Sequence, residues 1–245
     1  MTLFAEAIAW IFSPERLLGG NPVSQRIGEH LRYTLIALAV SALIAVPVGY
    51  LIGHSGKGRE VAVSLAGAAR ALPSLGLLTI LTLVFGIGQA PVAATVVFVV
   101  LGVPSVLAGA YAGIEAVDRN VVDAARAMGM TEWQILVRVE APLGLPLLIG
   151  GLRSAALQIL ATAVLAAYVG LGGLGIYIQR GIALRTYDEM LGGAILIVAL
   201  ALVVDAVFAL LERLAVPAGV SGRTKRPSPF RRRALTPATA IEGAG

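Results

Sequence analysis

Val92-Ala-Ala-Thr-Val-Val-Phe-Val-Val-Leu-Gly-Val-Pro-Ser-Val-Leu-Ala-Gly-Ala-Tyr-Ala-Gly113 carries no charge and no strong hydrogen-bonding side chain beyond Thr95, Ser105 and Tyr111. It meets the length of about 20 apolar residues that a helix needs to cross a bilayer. Similar stretches flank it on both sides, at Tyr33 to Ile52, Val61 to Ile87, Leu143 to Val169 and Leu191 to Leu211. Pro47, Pro73, Pro104 and Pro146 fall inside these stretches, and membrane helices tolerate proline because neighbouring groups re-satisfy the freed backbone. Gly49 with Gly53 and Gly109 with Gly113 form small-residue pairs at four-residue spacing, which let helices approach closely. The expectation is an all-α, multi-pass membrane protein of about five spans.

Composition removes most alternatives. Of 245 residues 58% are hydrophobic before 29 glycines are counted, and 13% are charged. The latter is about half the usual share in soluble domains. The chain has no cysteine, which excludes disulfides, thiolate nucleophiles and cysteine metal sites. Its two histidines, His30 and His54, lie in different segments, an arrangement that argues against a histidine metal site or triad. The net charge of +5 sits in the tail from Ser221 to Gly245, with six basic residues and one acid; the remainder is balanced. Such a segment reads as a topology anchor beside anionic lipid, not as a nucleic-acid site.

Loops taken alternately (His54 to Glu60, Ile114 to Pro142, Glu212 onward) hold twelve basic residues, against four in the other set. The positive-inside rule places the first set in the cytoplasm, with the N-terminus outside and the C-terminus inside. Three regions are expected: an extracytoplasmic segment 1–30, a transmembrane domain 31–214 with a cytoplasmic loop 114–142, and a basic, disordered tail 215–245. Within the first, Leu3, Phe4, Ala7, Ile8 and Ile11 recur at helical spacing near Trp10, as in a helix lying in the outer interface.

Two glycine-rich runs mimic nucleotide sites. Gly170-Leu-Gly-Gly-Leu-Gly175, with Asp188 downstream, follows a long apolar helix where a dinucleotide fingerprint follows a strand, so it reads as a turn. Gly53-His-Ser-Gly-Lys-Gly58 lacks both the glycine spacing of a phosphate loop and the Ser or Thr after Lys57. No ATP site is expected on this chain.

The polar stretch from Asn120 to Pro146 is the most informative. Val121 to Met128 is rich in helix formers, with Val121, Ala124, Ala125 and Met128 expected on one face. Gly129 breaks this helix, and Thr131 offers an N-cap for a second, which Pro142 is expected to end or kink. Two short helices around a glycine make a knob. Asp123-Ala124-Ala125, three residues, Gly129, nine residues, then Val139-Glu140-Ala141-Pro142 resembles the EAA signature of binding-protein-dependent ABC importer permeases, E-A-A-x3-G-x9-I-x-L-P. Asp replaces Glu, Val replaces Ile and Ala replaces Leu. Ala71-Leu-Pro-Ser-Leu-Gly-Leu-Leu78, Tyr111-Ala-Gly-Ile114, Ala124-Ala-Arg-Ala-Met-Gly-Met-Thr131 and Gly170 to Gly175 extend the resemblance to the branch importing glycine betaine, carnitine, choline or proline.

The resemblance implies an importer-permease fold in the cytoplasmic membrane of a prokaryote. It implies four kinds of partner: a cytoplasmic ABC ATPase that holds ATP and magnesium, an extracytoplasmic solute-binding protein, a second or homologous permease, and membrane lipid. The ATPase-coupling residues would be Asp123, Ala124, Ala125, Arg126, Met128, Gly129, Met130 and Pro142, with Met128 and Met130 packing in a groove and Asp123 pairing with Arg126. Pro73, Ser74, Tyr111, Gln158, Thr162 and Tyr168 are candidates for a translocation path, and helix-to-helix hydrogen bonding explains the polar ones equally well. Arg70 and Asp205 are expected to form an intramembrane pair. Aromatic residues are only 6% of the chain, so an aromatic cage for a quaternary ammonium belongs on another subunit. The competing readings are a permease for another small solute, such as an amino acid, and an ion-coupled secondary transporter.

Overall fold

The computed structural model describes residues 2–19 and 22–215, and its regular elements there are all helices. They are α1 (Leu3–Ile11), α2 (Pro14–Leu18), α3 (Val23–Ser55), α4 (Arg59–Ala71), α5 (Ser74–Phe85), α6 (Ala90–Glu115), α7 (Arg119–Ala127), α8 (Glu132–Ile135), α9 (Ala141–Ala163), α10 (Gly175–Leu184) and α11 (Tyr187–Ala215). Four helical rods are long and apolar enough to span a membrane: Val23–Ser55, Ile87–Glu115, Glu132–Val169 and Tyr187–Ala215. The expected tail lies, from residue 216 on, outside the described residues.

The second expected span, Val61 to Ile87, is not one straight helix. The α4 and α5 axes are bent by 85° at the break before Ser74. Leu72 is extended there (φ −70°, ψ 131°), the conformation that a following proline imposes. Pro47, Pro104 and Pro146 remain inside continuous helices. The helix that carries the first expected span begins before it, α3 running unbroken from Val23 to Ser55.

The centre of the bundle is α6, packed between α3 and α9. Phe98, Val97, Val106, Ala110 and Ile159 are fully buried along these contacts. Glycines set the spacing. A Cβ on Gly109 would stand 2.7 Å from the Gly151 Cα, and one on Gly113 would stand 2.5 Å from the Gly144 carbonyl oxygen. On the other face of α6, Gly49 of α3 lies against Ala110 and Gly53 against Ile114. Between membrane helices the attraction is close packing, not exclusion of water, so small residues mark the seam. α11 fully buries only Glu189, Gly192 and Gly193; Leu196, Ile197, Leu200, Val204 and Phe208 pack half-buried on the bundle, while Val198, Leu202, Val203, Val207 and Leu210 are exposed.

At the end of the bundle far from α7 and α8, α1 packs on the start of α11. Ala7 and Ile11 are buried while Leu3, Phe4 and Ile8 face outward. The expected single apolar stripe is therefore divided between packing and an exposed side. Trp10 meets Tyr177 edge-on at 4.9 Å, and the Arg16 guanidinium lies 4.7 Å above the indole. The glycine run at 170–175 is a tight turn after a 3-10 segment, with Gly170 and Gly173 left-handed (φ 81° and 87°). The Gly173 N–H donates to Glu29 Oε2 at 2.8 Å, which ties the turn to α3.

Candidate functional site

The knob expected from the sequence is present, and local chemistry builds each part of it. Asp118 caps α7 by accepting the Asn120 N–H at 2.9 Å. The helix ends in a paired closing turn: Gly129 N–H donates to the Arg126 carbonyl (2.9 Å) and Met130 N–H to that of Ala125 (3.2 Å). This ending requires a left-handed residue after the cap, and Gly129 has φ 82°. α8 opens with a reciprocal capping box, in which Thr131 Oγ1 accepts the Gln134 N–H and Gln134 Oε1 accepts the Thr131 N–H.

Helices this short do not stand alone in water. Val122, Ala125, Ile135 and Val117 form a small buried cluster beneath them, flanked by Met130, Val139 and Leu143. This alters two sequence expectations. Ala125 turns inward with Val122, while Val121, Ala124 and Met128 face out. Met130 packs on the inner cluster, leaving Met128 (76% exposed) and Trp133 (68%) as the large outward apolar groups. Pro142 does not end or kink the second helix. It sits in the first turn of α9, and the residues before it, Leu136–Glu140, take a wider π-helical turn. That turn accommodates the missing proline N–H, so α8 and α9 run on as one rod.

Charged side chains link the pieces. Arg126 donates through Nε and Nη2 to both oxygens of Glu132 (2.8 and 2.9 Å) and through Nη1 to Asp123 (3.0 Å). The expected Asp123–Arg126 pair is thus one arm of a fork. The Arg126 hydrogen bonds hold the Glu132 carboxyl below the ordinary carboxylate range, and that same contact raises the Arg126 guanidinium above its own. Glu132 Oε2 also lies 3.2 Å from Nε2 of His54, whose Nδ1 pairs with Glu140 Oε2. Glu140 is fully buried. Sequence reasoning missed His54, Glu132 and Glu140. His54 falls in the run set aside as a failed phosphate loop, and eighty-six residues separate it from Glu140.

The remaining candidates lie elsewhere. Asp205 pairs with Arg153, whose Nε and Nη2 donate to its two oxygens at 2.6 and 2.7 Å. Facing positions on α9 and α11 decide this pairing; the Arg70 side chain is outside the described residues. Pro73 and Ser74 mark the α4–α5 break, and Tyr111 lies under the Arg59 guanidinium at 5.8 Å. Thr162 donates to the Gln158 carbonyl of its own helix, while Gln158 and Tyr168 are exposed.

Residues 45–217 match the family model described as the binding-protein-dependent transport system inner membrane component. The chain belongs to this family. It is an inner-membrane transporter component, and its family works with substrate-binding and energising subunits. It is 32% identical over 203 residues to the glycine betaine/carnitine/choline transport system permease protein OpuCB of Bacillus subtilis (strain 168), covering 83% of this chain and 93% of that one. It is 34% identical over 201 residues to the carnitine transport permease protein OpuCB of Listeria monocytogenes, covering 82% and 91%. Among solved structures, an inward-facing form of the MetNI methionine ABC transporter superposes with a TM-score of 0.68 at 22% identity. The match covers 79% of this chain and 96% of that one, and establishes the permease fold.

Proposed function

We propose that this permease subunit conducts a small compatible solute of the glycine betaine, carnitine, choline or proline class inward, with the α7–α8 knob as the docking element for a cytoplasmic ATPase. One observation carries the docking role: the knob is braced internally by caps, a small core and the Arg126 fork, yet it presents Val121, Met128 and Trp133 to the outside. Exposed apolar groups on a rigid polar element fit a partner groove, and the flexible thioether of Met128 suits such a surface. The relatives' names support the solute class. In this reading ATP and magnesium are held by the ATPase, tight solute recognition belongs to an extracytoplasmic binding protein, and a second permease completes the pathway. The loop charge bias supports a cytoplasmic knob.

The test is co-expression with the ATPase and binding protein, comparing wild type with a Val121→Asp/Met128→Asp variant. Both positions are exposed, so the fold should survive while ATPase co-purification and solute uptake are lost. Unchanged co-purification and uptake would overturn the docking assignment. Competition by glycine betaine, carnitine, choline, proline and other amino acids then reads the solute class, and uptake that persists without the ATPase would favour ion coupling.

A further inference from the structure

Within the polar network of the knob, one residue belongs to a different part of the molecule. Asp123, Arg126, Glu132 and Glu140 all lie between α7 and the start of α9, whereas His54 occupies the last turn of α3. Its two ring nitrogens face two carboxylates: Glu132 at the start of α8, and Glu140 in the π-helical turn that leads into α9. Glu140 is fully buried, and its second oxygen has no hydrogen-bond partner among the described residues. A buried carboxylate left without a partner is strongly unfavourable. His54 is therefore what makes the position of Glu140 tenable.

Replacing a buried charged pair by apolar residues is often neutral for stability. What such a pair contributes well is register, because its short directional contacts tolerate one arrangement of the elements that carry it. Here three elements meet at one imidazole. Chain connections fasten the knob to α6 through a link of a few residues and to α9 through the continuous rod. Through the side chains of the network, contact with α3 runs through His54. Force applied at the outer face of α7 would pass from Arg126 to Glu132, and from there to His54.

We infer that His54 is a positioning residue that makes α3 move with the coupling knob, so that ATPase-driven displacement of the knob reaches the first span as well as α6 and α9. The inference rests on the docking role proposed above, and the two can fail separately. Without the His54 contacts, the knob still presents Val121, Met128 and Trp133 and still binds the ATPase. α3 then keeps its packing on α6 and α9 but its last turn is no longer held in register with the knob, and hydrolysis proceeds with little transport.

The experiment uses the complete transporter in liposomes and measures three quantities: ATPase retained per permease, ATP hydrolysed, and solute moved per ATP. His54→Ala and Glu140→Gln should retain the ATPase, while solute moved per ATP falls about tenfold, with the double variant no worse than either single one, as for groups acting through one contact. Glu132→Gln lies on an exposed side chain and carries the test if a buried substitution does not fold; a fall of about two- to threefold is expected there. Because the chain has no cysteine, a His54→Cys/Glu132→Cys pair in the Glu140→Gln background can be bridged by a short bismaleimide. Bridging should restore solute moved per ATP, which a merely structural histidine would not allow. Wild-type coupling in all three variants, or a bridged pair that stays uncoupled, overturns the inference, as does loss of ATPase binding by His54→Ala alone. If the wild-type permease holds no ATPase, the docking role fails instead.

Discussion

The seam between α6 and α9 and the α7–α8 knob both depend on glycine, for opposite reasons. At the seam Gly109, Gly113, Gly144 and Gly151 have ordinary helical backbones, and a side chain is excluded by the helix opposite. At the knob a Cβ on Gly129 would meet nothing within 4 Å, and only its positive φ excludes one. The difference follows the solvent. Inside a bilayer helices gain little from apolar contact alone and must come close to bind. At the aqueous end short helices need caps, turns and charged links to hold their angle.

Substitutions can break this contrast, starting with the largest effect. Gly113→Leu forces a side chain into the Gly144 backbone and should cost about 3 kcal/mol or more. It would be read as a lower unfolding temperature in detergent or a loss of monodisperse protein; wild-type behaviour would mean the seam is looser than described. Gly129→Val has open space, so its cost should be the left-handed backbone alone, about 1–2 kcal/mol. That cost should appear as faster amide exchange in α7 and α8 with α6 and α9 unchanged; a global loss of stability would erase the distinction between the two glycines. Thr131→Ala removes one half of the capping box, at about 1 kcal/mol, and should speed exchange only over Glu132–Ile135.

The smallest effect is one of pH. The folded Glu132 carboxyl titrates below its ordinary value of 4.5 because Arg126 donates to it. Its contribution to holding α7 against α8 is therefore complete above that value and disappears as pH falls through the lower, folded one. Amide protection at the Arg126–Glu132 junction, corrected for intrinsic exchange, should decline only on the acid side. Glu132→Gln should flatten the profile, and equal decline in that variant would place the titration on another group.

Much of this was legible from residue order. Apolar runs located the spans, and Gly129 and Thr131 acted as helix punctuation through groups within a few residues of themselves. The α4–α5 break was not legible, although Pro73 was visible. Proline at 47, 104 and 146 looks the same in sequence and stays within helices, one of them at the buried Pro104 of the central α6. Whether the chain bends at a proline depends on what packs around it. The face of α7 was misassigned for a related reason, since Ala125 and Val121 are both apolar and only the position of Ile135 selects which of them is covered.

The sequence by itself determined that the chain is a multi-pass membrane protein with a two-helix knob bearing an importer signature. Hydropathy, capping and turn preference act locally and leave their mark at the residues concerned. Only the tertiary structure decided that Asp205 pairs with Arg153, that Met130 points inward, and that His54 joins α3 to Glu132 and Glu140. A charge has several possible partners along a chain of this length. The choice among them is made when glycine-spaced helices set one face against another.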